Sequence, residues 1–84
     1  MIVLITFTLP HYDVLLDNVD RSSRAHAILR NGCIERQQNG DEHVERTMKI
    51  LCDVEEARLL LGLAKQLCPD AAAPIARAIT FARE

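Results

Sequence analysis

The spacing of apolar residues changes period several times along this chain, and each change marks an element. Residues 2–9 read Ile2-Val3-Leu4-Ile5-Thr6-Phe7-Thr8-Leu9 and stop at Pro10. On a strand, Val3, Ile5, Phe7 and Leu9 line one face, and Ile2, Leu4, Thr6 and Thr8 the other. Apolar residues on both faces at its start predict a strand that is central or covered on both sides. From Pro10 the period lengthens. Tyr12, Leu15, Leu16 and Val19 fall on one helical face, and Ala25, Ile28 and Leu29 repeat the pattern. The stripe lapses at Asp20-Arg21-Ser22-Ser23. Residues 10–31 therefore read as one helix with a polar stretch, or as two short helices with Asp20 or Ser22 as the new N-cap. Asn31-Gly32 closes the segment, with Gly32 suited to a left-handed position after the helix. The rival reading makes 25–30 a strand and Asn31-Gly32 a hairpin turn.

Asn39-Gly40 is the clearest turn signal. A two-residue loop would pair Gln38 with Asp41 and set Ile34 against Glu45. A loop of Gln38, Asn39 and Gly40 instead pairs Ile34 with Val44 and Arg36 with Glu42, an apolar pair and an opposite-charge pair. The longer loop is the expected one, with Gly40 at positive φ. Val44, Met48, Ile50 and Cys52 then face the core, and Glu45, Thr47 and Lys49 face away. Asp53 with Glu56 three residues later has the form of a capping box. Ala57, Leu60, Leu61, Ala64, Leu67 and Cys68 continue as one helical stripe, widened by Leu59 and Leu63. Pro69 ends this helix. Asp70 is expected to cap a last one through Ala72, Ile75, Ile79 and Ala82, with Pro74 near its first turn.

The expected order is β-α-β-β-α-α in a single small α+β domain over 1–84. A helical crossover makes the first two strands parallel, and the third fits between them, giving spatial order 2-3-1. Helices cover one face, and the other carries Ile2, Leu4 and Leu51. This split β-α-β unit resembles the front part of a ferredoxin-like sandwich, truncated so that a C-terminal helix replaces the fourth strand. The resemblance is topological and implies no particular activity.

Composition narrows the class. The 84 residues are 49% hydrophobic and 26% charged, unlike a disordered chain. A net charge of −2 gives no bulk positive field toward nucleic acid or membrane. The apolar start lacks a basic flank and is far shorter than the roughly 20 residues of a membrane span. Cys33, Cys52 and Cys68 are an odd, widely spaced set, which reads as free thiols in a reducing cytoplasm. With only 4% aromatic residues and no disulfide, the core is thin, the first hint of an oligomer.

Candidate chemistry is sparse. His11, His26 and His43 are scattered, there is no Cys-x-x-Cys, and the expected register sets Cys33 opposite Glu45 and away from Cys52, so no metal or cofactor is implied. Cys52 and Cys68 read as small buried core residues. Ser22 and His26 lie four apart, but Ser22 is better explained as a cap, and Glu55-Glu56 suit a helix's first turn. No catalytic constellation emerges. Arg21, Arg24, Arg30 and Arg36 form the densest basic stretch and are the candidate anion contacts. The expectation is a non-catalytic homo-oligomeric interaction or regulatory module, its partner a second copy of itself, with Leu59, Leu63, Ile75, Ile79 and Phe81 as candidate interface. Another protein partner, a weak nucleic-acid-binding domain using the four arginines, and a small thiol- or metal-dependent enzyme are the alternatives. The final helix could also cover Leu59 and Leu63 from within the chain.

Overall fold

A computed structural model describes residues 1–39 and 43–83, with side chains for 1–34 and 46–82. The elements are β1 (Ile2–Thr8), α1 (Leu9–Asn18), α2 (Arg24–Arg30), β2 (Cys33–Asn39), β3 (His43–Asp53), α3 (Val54–Leu67) and α4 (Pro69–Arg83). The strands form one sheet in the order β1-β3-β2, with both pairings antiparallel. The expected α+β class and the central third strand are therefore observed. β1 and β2 run parallel to each other, joined by α1 and α2.

β1 is an edge strand, and this corrects the expectation that it is central or covered twice. Val3, Ile5 and Phe7 are fully buried, whereas Ile2 and Leu4 remain 69% and 49% exposed. β3 takes the centre because its 11 residues pair along both neighbours. All four helices lie against the side of the sheet that carries Val3, Ile5, Phe7, Met48, Ile50 and Cys52.

The segment 10–31 resolves into two helices, and Ser23, rather than Asp20 or Ser22, caps the second. Ser23 Oγ accepts from the His26 amide at 3.2 Å and donates to the Asp20 carbonyl at 2.6 Å. Asp20 Oδ1 organises the turn before the cap, accepting from both the amide and the hydroxyl of Ser22 at 3.0 Å. Those two bonds, the amide first, hold its carboxyl below the usual carboxylate range.

Asn31 is the C-cap of α2, and Gly32 is not left-handed. Its lack of a side chain serves close approach instead. A Cβ there would stand 2.7 Å from Met48 Sδ and 3.2 Å from Ile50 Cγ1.

The hairpin register also differs. Ile34 pairs with Met48, Arg36 with Arg46 and Gln38 with Val44, and the ladder closes at Asn39 with His43. This is four residues from the expected Ile34–Val44 pairing, and the Arg36–Glu42 pair is replaced by two like charges. An even slip keeps the described residues Ile34 and Met48 on the same face. It also extends the Phe7–Met48 pair of β1 and β3 into one row with Ile34. Cys33 consequently lies opposite Lys49, not Glu45. The expected conformation of Gly40 lies outside the described residues.

α3 begins as expected. Asp53 Oδ1 accepts from the Glu56 amide at 2.7 Å, and Glu56 Oε1 accepts from the Asp53 amide at 3.1 Å. Pro69 both stops α3 and opens α4, so Asp70 lies in the first turn instead of capping it, and Pro74 sits inside the helix. Ala71, Ile75 and Ile79 point α4 into the core.

The two described glycines make opposite predictions. Gly62 sits in α3 with nothing within 4 Å of a Cβ, so Gly62→Ala should raise stability by about 0.5–1 kcal/mol. Gly32→Ala must displace buried Met48 and should lower stability by about 1 kcal/mol or more. Urea-unfolding midpoints of the two variants should move in opposite directions.

Candidate association surface

Burying one face of a three-stranded sheet leaves the other to solvent. On that bare face Leu4 and Leu51 are direct cross-strand partners, 49% and 65% exposed, and Ile2 beside them is 69% exposed. Phe81 extends this surface. It is 81% exposed and, with Ile2, Leu4, Arg77, Ala78 and Ala82, lines a groove of about 410 Å³ between α4 and β1. Along β3 the same face reads Lys49, Leu51, Asp53, a positive charge and a negative charge on either side of the leucine.

The expected interface residues do not come together. Ile75 and Ile79 are 0% and 8% exposed and belong to the chain's own core. Residues two apart on a helix are about 200° apart around it, so Phe81 faces away from Ile79. Leu59 and Leu63 are elsewhere again, in a cleft of about 340 Å³ shared with Asn18, Val19, Asp20, Ser23, Arg24 and Ala25. The α1–α2 junction, not the final helix, stands over them. Ile2, Leu4 and Leu51 were readable as the outward face of the sheet, and the structure leaves all three exposed.

The arginines are also divided. Arg21 and Arg30 line a polar cleft of about 340 Å³ between α1 and α2, together with Leu16, Asp17, Val19 and His26. Arg24 lines the Leu59–Leu63 cleft instead, and Arg36 is on β2. Asp17 is the charged residue here that spacing along the chain did not single out; His26 stood out only for its spacing from Ser22. Among the described residues Ser22 and His26 form no pair: the Ser22 hydroxyl donates to Asp20, and the His26 amide donates to the Ser23 hydroxyl.

All three cysteines are free. Cys33 is exposed on the bare face, Cys52 is buried, and Cys68 is half-buried rather than fully buried as expected. Burial first, then the carboxylates of Glu56 and Asp53, push the Cys52 thiol up to about 11. Among the described residues no three His, Cys, Asp or Glu side chains converge as metal ligands, and no helix is long and apolar enough to cross a membrane.

Comparison with known proteins finds no matching family model, no matching curated protein and no matching solved structure.

The thiol environments set an order of reactivity. With a thiol reagent at pH 8 under native conditions, Cys33 should label first, Cys68 more slowly, and Cys52 only at the rate of unfolding. Mass-spectrometric mapping of the modified cysteines over time reads the order directly. Early labelling of Cys52 would contradict its place in the core.

Proposed function

We propose that this chain is a non-catalytic, self-associating interaction module, and that a second copy docks on the bare sheet face. The observation that carries this reading is the continuous exposed set Ile2, Leu4, Leu51 and Phe81. Together these side chains form one exposed apolar patch, and the buried centre of a self-association interface is typically richer in apolar area than the rest of the surface.

The charge pattern favours a second copy over an unrelated partner. Two β3 strands meeting antiparallel about a two-fold axis at Leu51 bring Lys49 of each chain toward Asp53 of the other. Such an isologous contact is self-complementary. This placement replaces the expected interface, since Ile75 and Ile79 are already covered. We also read the topology as a ferredoxin-like sandwich in which α4 stands where a fourth strand would pair with β1, and free thiols favour a reducing cytoplasm.

Sedimentation equilibrium at high micromolar concentration tests the reading. The wild-type chain should sediment at twice the monomer mass. Leu51→Glu, which places two like charges at the centre of the contact, should weaken the dimer by about 2 kcal/mol or more while leaving the helical circular-dichroism signal unchanged. Leu63→Glu, far from this face, should leave the dimer intact. A monomeric wild type, or a dimer split by Leu63→Glu but not by Leu51→Glu, would overturn the proposal.

A further inference from the structure

We infer that the cleft between α1 and α2 is a separate binding site for a small phosphate-bearing anion. Two guanidinium groups reach it from different elements. Arg21 comes from the turn after α1, and Arg30 from the last turn of α2. His26 stands one helical turn before Arg30, so imidazole and guanidinium share one face of α2. Both arginines are exposed, and among the described residues neither is engaged in an ion pair with a carboxylate. Their planar donor forks match the oxygens of a phosphate group.

The turn that carries Arg21 is fixed in advance. Asp20 accepts two bonds from Ser22, and Ser23 holds the Asp20 carbonyl while capping α2. Arg21 is thus held between anchored neighbours, and less ordering is required when an anion arrives.

The lining also restricts the ligand. Leu16 and Val19 supply an apolar wall, and Asp17 supplies an acceptor suited to a hydroxyl group. Arg21, Arg30 and Asp17 together carry one net positive charge, and Asp17 opposes a continuous run of phosphates. A volume of about 340 Å³ suits a small molecule. Arg24 opens onto a different cleft. These features favour a compact phosphomonoester or free phosphate over a nucleic-acid strand, which would draw on a continuous basic stripe.

Titration of the ¹⁵N-labelled full chain with inorganic phosphate, then with a phosphate monoester, and separately with a short single-stranded oligonucleotide, tests the assignment. Both phosphate ligands should give saturable amide shifts at Arg21, His26 and Arg30. A tighter monoester would place its organic group against Leu16 and Val19, and equal affinities would assign the site to phosphate alone. Arg21→Gln and Arg30→Gln should each weaken binding about tenfold with the remaining spectrum unchanged, whereas Arg24→Gln should bind as the wild type does. Shifts that do not saturate, equal loss in Arg24→Gln, or tighter binding of the oligonucleotide through all three arginines would overturn it.

Discussion

The rest of the molecule depends on three cross-strand pairs. Val3 meets Cys52, Ile5 meets Ile50 and Phe7 meets Met48, and each of these six residues is at most 5% exposed. Side chains alternate along a strand, so committing this set to the core commits Ile2, Leu4 and Leu51 to the other side. Every helix then brings its apolar residues to the same face. α3 offers Ala57, Leu60 and Ala64, α4 offers Ala71, Ile75 and Ile79, and α2 offers Ala25, Ile28 and Leu29. The alanines let α3 and α4 come close, which suits a core with few aromatic rings. Tyr12 brings α1 into this layer, its hydroxyl donating to the Leu29 carbonyl at 2.7 Å. Burial raises its phenol above the usual range, with Arg30 pulling the other way.

A one-sided core of this kind divides the surface into two unlike regions. The α1–α2 cleft belongs to the helical layer, and the bare face lies across the sheet from it. The proposed anion site and the proposed docking face therefore do not compete for the same side chains, and each can be removed by substitution without touching the other. Asp53 links the bare face to the fold, since the residue that ends β3 also caps α3. Its carboxylate has a structural duty in the monomer and a charge that the second copy would meet.

What could be read from the residues follows physical range. The capping box at Asp53 and Glu56, the break at Pro69 and the alternation along β1 are set by interactions within a few residues, and they were legible. Pro10 is not a break but sits in the first turn of α1, which already begins at Leu9. The strand order followed from the parity of the connections. Register was not legible, because the Ile34–Val44 and Ile34–Met48 pairings bury the same kind of face. In the observed register Ile34 stands opposite Met48, which pairs on its other side with Phe7 of a third strand, a coincidence that no spacing within the hairpin reveals. Gly32 was misread for a similar reason. Its spacing after α2 suggested a left-handed cap, whereas the constraint comes from Met48 and Ile50 across the sheet. The interface set failed at α4, where an apolar stripe shows which residues share a face but not which neighbour that face meets. The grouping of the arginines was not legible because α1 and α2 turn between Asp20 and Ser23, so Arg21 and Arg24 open onto different clefts.

Two apolar regions remain as rivals for association, and their shapes separate them. Leu59 is 40% exposed and Leu63 half-buried, in a concave cleft already bordered by α1, α2, Asp20 and Arg24. A partner entering there would have to supply a protruding group and displace water from two charges. The bare face is pleated and broad, and its central pair exposes more of each leucine. Two such faces stack about 10 Å apart with their side chains interdigitated, the ordinary geometry of a two-sheet sandwich. A second copy would thus provide the layer that a chain with four helices on one side cannot provide for itself. Phe81, turned away from Ile79 by helical geometry, stands at the border of that layer, where it would close the edge of the contact against the partner's sheet.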